Sequence, residues 1–429
     1  SAAPKRERSR LVSSSRPPEL PVNILPTRGA LPLWSLRTHR MAWQFFDKPL
    51  AYLPVGWQGS APESSAYLAI EAVTRGTTKQ AITMHPPWKS ASGTVFAEYR
   101  VKLPDTTPLT LAFANAIRDN TAAEPASDGV TFRVWADGQK LFERHTDSKN
   151  WLDGAADLSA YRGQTVLLRL ESHPGPKRDT TCDSSFWAEP VLIAGELPEP
   201  ASEAEKQHRR DAARTLVRTG EGEGTLFSLQ DGYRVAILPG EAGIFDAAIA
   251  IGNRNACVVF DGLRVSILGY PAGSSLSAVA MEGDANWAND GSSLSVTQPL
   301  QLAGERFNLT VRIWPEGSGL RIKVDCPKRI TDFALGSSDR KAPRVYYGHG
   351  YCIVEPQAFR AGFGGHNLST SHVGFDFDEG LSLLVACDHP PDYLEVDPAS
   401  RTYALHTHLD ATMTLVPSTA GAFDCARRY

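Results

Sequence analysis

Polar and apolar positions alternate along most of this chain in short runs broken by turn residues. In Thr131–Ala136, Phe132, Val134 and Ala136 fall on one face of an extended segment. Asp137-Gly138 follows, a strong signal for a two-residue hairpin turn, and Gln139–Phe142 returns. Val166, Leu168 and Leu170 alternate in the same way. Further on, Leu309–Ile313 turns at Pro315–Gly319 and returns through Leu320–Val324. Strand-like runs recur at 345–347, 373–377, 381–386, 404–408 and 412–416. Strands at such spacing, with no long amphipathic helix between them, predict antiparallel sandwiches.

The pattern changes once. From Glu196 to Gly224 the chain is dense in Glu, Lys and Arg, and apolar residues are few. Ser202 with Glu205 three residues on is a capping box, which starts a helix reaching about Val217. Gly220, Gly222 and Gly224 end it. This segment is expected to be a helical spacer with a solvated face. The organisation is then a basic leader (1–19), a jelly-roll sandwich (20–195), a charged linker (196–224), a larger antiparallel β-supersandwich (225–417) and the start of a following segment (418–429). The last stretch reads as cut from something longer. The fold class is all-β.

Composition narrows the function. The chain has 429 residues, 42% of them hydrophobic and 21% charged, with 35 Gly and 30 Pro, which suits turn-rich globular β domains. A formal charge of −4 argues against a nucleic-acid partner held by phosphate neutralisation. No apolar run is long enough to span a membrane as a helix. The six cysteines form no CxxC pair, so a zinc ribbon or a thioredoxin-like motif is not expected. One bridge within the C-terminal half stays open.

The run from Ile82 to Trp88 (Ile-Thr-Met-His-Pro-Pro-Trp) leads into Gly93–Tyr99. Ala116–Asp119, Ser127–Val130, Val134–Gly138, Ala156–Ser159, Gly163–Val166 and Asp183–Pro190 follow in order. Over about Ala51–Ala194 this ordered set resembles the NPCBM-like carbohydrate-binding jelly rolls appended to bacterial glycoside hydrolases. The resemblance implies a glycan partner, with galactose- or N-acetylgalactosamine-containing glycans suggested by the company such domains keep. It also implies a secreted or periplasmic location. Sugars present apolar C–H faces, which stack on aromatic planes, and hydroxyls, which need fixed donors and acceptors. His85, Trp88, Arg118, Asp119, Asp183 and Trp187 supply both kinds of group. Asp residues near the turns could also hold a structural Ca²⁺.

Six of the eleven histidines lie in the third zone. His406 and His408 are two apart and would share one face of a strand, as two ligands of a metal ion do. The stretches Tyr346–Tyr351 and His372–Phe377, with His406 and His408, resemble a galactose-mutarotase-like supersandwich. The resemblance implies a histidine acid and a carboxylate base astride a sugar ring. His349 or His372 with Glu355 or Asp376 are the candidates. The Asn-His-Ser-Tyr type of motif is missing, and Gly364–Asn367 does not replace it.

The order of jelly roll, linker and supersandwich resembles the N-terminal portion of multidomain enzymes of the endo-α-N-acetylgalactosaminidase type, in which a (β/α)₈ barrel follows. The expected function is therefore carbohydrate binding without catalysis, beside a barrel that would supply the two hydrolytic carboxyl groups. One alternative is a stand-alone sugar-active enzyme, a mutarotase, epimerase or glycosidase, using the histidine-rich face. Another is an adhesion protein.

Overall fold

A computed structural model describes residues 13–196, 201–273, 276–348, 351–363, 368–408 and 411–429. The chain is mostly β and divides into two compact units, Ser1–Pro198 and Glu199–Tyr429.

The first unit is a sandwich of two sheets. One runs Gln139–Thr146, Val130–Ala136, Thr165–His173, Gly93–Lys102, Arg40–Phe45, Ala51–Tyr52. The other runs Leu152–Asp157, Leu109–Ile117, Ser185–Ala194, Thr77–His85, Tyr67–Arg75, Gly59–Ser60. Successive strands swap sheets repeatedly, as a jelly roll requires. The alternation read from sequence sets the inner faces: Phe132, Val134, Ala136, Val166, Leu168 and Leu170 are all buried. The Asp137-Gly138 turn has positive φ at both residues, 46° and 81°, which suits a right-twisted hairpin. Gly93 allows one close approach, since a Cβ there would stand 1.9 Å from the Gln44 carbonyl oxygen.

The second unit sets a ten-stranded sheet against smaller sheets of four, three and three strands. Inward residues of all four share one apolar core that includes Val235, Ile249, Phe260, Phe333, Leu309, Ile322, Phe375, Leu383 and Leu405. The hairpin at 309–324 is present, as strands Glu305–Glu316 and Gly319–Asp325. All six cysteines are free thiols.

The charged segment departs from the expected solvated spacer. Helix α1 (Glu203–Thr219) has the capping box, and Gly220 closes it in the left-handed conformation at φ 80°. It lies on the four-stranded sheet of the second unit. Ala213, Leu216 and Val217 pack on Ala236, Ala248, Ala250, Cys257 and Val259. Arg210 makes a two-pronged pair with Asp261, at 2.8 and 2.5 Å. Arg214 reaches Asp339, and Arg209 reaches Asp246. The arginines that made the segment look solvated lie over the carboxylates of the sheet, and their stems cover apolar surface. Helix α2 (Ala422–Arg428) lies on the outer face of the ten-stranded sheet, where Cys425 packs on Leu384, Ala386 and Val416.

Helix α1 should therefore matter to the stability of its unit. Leu216→Ala should cost about 2–5 kcal/mol, and Ser202→Ala about 1 kcal/mol. Chemical denaturation of the full chain measures both. Equal small losses would mean that the helix does not dock.

Candidate functional site

The strands of the first unit deliver the loops 86–92, 118–129 and 174–184 to one end of the sandwich. This follows from register: Ser185 pairs with both Met84 and Ile117, and Phe45 pairs with Gly93. His85, Trp88, Arg118, Asp119 and Asp183 therefore gather at that end.

His85 ends its strand half-buried. Its Nδ1–H donates to the Pro86 carbonyl at 2.7 Å. Burial holds the imidazole below its ordinary range, and the nearby Arg118 charge pushes the same way. Trp88 stands three residues on and is 59% exposed, in contrast to the other tryptophans at this end. Its backbone is fixed, because the N–H groups of Trp88 and Lys89 both donate to the Ser64 carbonyl, at 3.1 and 3.0 Å. The indole is thus an open platform on an anchored loop.

The Arg118 backbone donates to Ser184, which ties two loops together. Its guanidinium donates to Glu124 at 2.6 Å and to the Cys182 sulfur at 3.2 Å. Those bonds to Arg118, with the Thr121 N–H, hold the Glu124 carboxyl down to about 2. Asp119 pairs with Arg75 at 2.9 Å and is largely exposed.

Asp183 is fully buried. It accepts from the Ser127 hydroxyl at 2.7 Å, and its other oxygen has no partner among the described residues. Burial pushes this carboxyl up to about 8, with Asp128 and Asp179 adding in the same direction. It is a neutral acid at pH 7, and so a donor. A neutral acid is a poor cation ligand, and no metal-holding cluster of His, Cys, Asp or Glu occurs among the described residues.

Trp187 corrects the sequence reading. It is fully buried between the sheets. Phe113 and Phe132 meet it edge-on at 4.9 and 5.3 Å, and its Nε1–H donates to the Ser172 hydroxyl at 3.2 Å. No face of this indole is left for a sugar. A tryptophan in a half-alternating run looks the same in sequence whether it faces in or out.

Among the described residues of the second unit, the expected catalytic candidates are not brought together. His349 lies outside the described residues, as do Gly364–Asn367. His372 and Asp376 stand at opposite ends of one strand, about 13 Å apart along it at about 3.3 Å per residue. Asp376 is occupied by the Tyr346 hydroxyl at 2.9 Å and the Ser382 hydroxyl at 2.6 Å. Glu355 is exposed, just past Val354, which pairs with Arg344 and so lies at the Asp376 end. His372 and Glu355 therefore do not face one ring. His372 lines a cavity of about 150 Å³ with Tyr346, Gly374 and Phe423.

The pair His406 and His408 is also corrected. The strand Thr402–His406 ends at the first of them, and Thr407 then bridges to Phe333. His406 is fully buried, with Nδ1 2.7 Å from Asp332 and Nε2 3.0 Å from Glu395. Both ring nitrogens are engaged, so neither lone pair is open to a metal. Tyr393 stacks on the ring at 4.1 Å, and Arg264 and Arg360 each reach Glu395 at 2.8 Å. His408 lies outside this network and pairs with Asp392 at 2.8 Å. The sequence offered no sign of this arrangement, since its members come from five separate strands.

Two measurements follow from these contacts. A raised Asp183 pKa means that the folded chain holds a proton that the unfolded chain releases near pH 4. Stability should then fall as pH rises from about 4 to about 8, by at most about 1.4 kcal/mol per pH unit, and level off above. Asp183→Asn should flatten that slope and gain stability at pH 8. Urea midpoints read by tryptophan fluorescence report it, since seven of the nine tryptophans lie in the first unit. An unchanged slope would place the titration elsewhere. Secondly, His406→Ala should cost about 1–3 kcal/mol, since it empties a buried site stacked on Tyr393 and removes two hydrogen bonds. His408→Ala should cost under about 0.5 kcal/mol.

No family model matches the sequence. An uncharacterized protein of Archaeoglobus fulgidus is 31% identical over 92 residues, 19% of this chain and 23% of that protein. The chain thus spans about a quarter of that relative. An α-N-acetylgalactosaminidase of Bifidobacterium bifidum, solved with GalNAc, superposes with a TM-score of 0.33 at 12% identity, over 45% of this chain and 36% of that one. A CBM51 module from a Clostridium perfringens family 95 glycoside hydrolase, bound to methyl-galactose, gives 0.23 at 13% identity, over 38% and 99%. Tandem CBM51 modules of a Streptococcus pneumoniae family 98 glycoside hydrolase give 0.23 at 10% identity, over 87% and 93%.

Proposed function

We propose that the chain binds carbohydrate through the loop end of its first sandwich and is an accessory part of a glycan-degrading system. The observation that carries this reading is the open indole of Trp88 on a backbone pinned to Ser64. A rigid aromatic face suits the C–H face of a sugar ring. His85, Arg118 and Asp119 belong to the loops of the same end and are the polar groups proposed to meet hydroxyls. Asp183 lies beneath and supports the loop through Ser127.

The accessory role is supported by what the second unit lacks among its described residues. His372, Glu355 and Asp376 are spread along a sheet and do not form an acid–base pair, and His406 is locked in an ion network. In this reading the bond-breaking carboxyl groups belong to another domain, such as a barrel packed against this chain. A secreted or periplasmic setting suits a polymeric glycan target. No described helix is long and apolar enough to cross a membrane. Glycans containing galactose or N-acetylgalactosamine are the first ligands to try.

Trp88→Ala should weaken binding of a responsive glycan about five- to tenfold, on the order of 1–1.5 kcal/mol, and leave the denaturation midpoint unchanged. A glycan array followed by calorimetry on the full chain reads this. Equal affinity of variant and parent would remove Trp88 from the site. Turnover of aldoses or aryl glycosides by the isolated chain would favour the enzyme reading instead.

A further inference from the structure

Arg178 on the loop 174–184 and the adjoining His173 carry N–H donors that no other described group uses. His173 ends the strand Thr165–His173 and accepts the Gly175 N–H at Nδ1, 3.0 Å away. An accepting Nδ1 puts the ring hydrogen on Nε2, which has no partner among the described residues. Burial, with the charges of Arg133 and Arg178, pulls this imidazole down to about 4. The ring is therefore neutral at pH 7, and its Nε2–H donor persists across the physiological range.

Arg178 stands beside it. Its guanidinium lies 4.5 Å from the centre of the Phe46 ring, and the His173 ring lies 5.0 Å from the same centre. The Arg178 side chain is exposed and makes no hydrogen bond or ion pair among the described residues, so its five N–H donors face solvent. The backbone at Arg178 is held in the left-handed region at φ 58°, uncommon for a residue with a side chain. Neighbouring cations are different: Lys177 is 3.5 Å from Asp128, and Arg133 is matched by Glu143 and Glu171. Phe46 belongs to the same end of the sandwich as Trp88, because its N–H donates to the Ser92 carbonyl of the loop that carries Trp88.

We propose that Arg178 and the Nε2–H of His173 bind an anionic group on a glycan, a ring carboxylate or a sulfate ester, at the same end of the sandwich as Trp88. This rests on the glycan reading above and narrows it to acidic glycans. Arg178 supplies a planar fork that matches two anionic oxygens, and His173 adds a neutral donor from the side.

The test compares galactose, galacturonic acid and galactose 6-sulfate by calorimetry on the full chain, with Arg178→Ala and Arg178→Lys. The expected result is tighter binding of one or both charged sugars, lost about tenfold or more in Arg178→Ala and partly kept in Arg178→Lys, with galactose unaffected. Preference for the uronate or for the sulfate names the source of the charge. Binding of the charged sugars should also weaken between about 50 and 500 mM salt. Equal binding of all three, unchanged in Arg178→Ala, overturns this inference and leaves the glycan reading standing. Binding of none overturns the glycan reading, and the inference falls with it.

Discussion

The first unit depends on one indole. Trp187 belongs to one sheet, and its N–H donates to Ser172 of the other. Ser185, its neighbour but one, also donates to Ser172 at 2.7 Å. A buried tryptophan that spends its only donor across the sandwich fixes how the two sheets slide over each other. Once that is set, the strand ends are aligned, and the loops that leave them meet at one end. Trp88, Arg118, Asp183 and Arg178 owe their closeness to this alignment and to no local sequence signal.

Each unit closes a buried carboxylate between arginines, as Glu98 is held by Arg40 and Arg169 in the first. In the second, the His406 ring is bonded between Asp332 and Glu395, and Arg264 and Arg360 both pair with Glu395. Such a set joins strands from distant parts of the chain and leaves little free for chemistry. At the loop end of the first unit the matching is incomplete. Asp183 has one oxygen without a partner, and Arg178 has no acceptor among the described residues. Of these two only Arg178 is exposed, so a ligand anion there would take the place of water.

The helix α1 shows how charge can mislead a reading of sequence. Arg210 and Arg214 are spaced to lie on the same face as Ala213 and Val217. A periodicity count scores them as breaks in an apolar stripe, and the segment then looks solvated. In the fold, Asp261 and Asp339 stand beneath those arginines, so one face is both apolar and ionic.

Alternation by itself determined that this is a two-sandwich protein, because a strand period of two leaves a mark in any single run, as in Phe132, Val134 and Ala136. The capping box at Ser202 and the Asp137-Gly138 turn are equally local and equally readable. What only the tertiary structure decided is which polar residues meet. Trp88 and Trp187 are alike as residues, yet one lies open on a pinned loop and the other closes the core. His406 and His408 are neighbours in sequence, yet they sit in separate networks. The reason is that burial and pairing depend on what the far side of a sandwich presents. That is set by residues scores of positions away, which a local pattern does not contain.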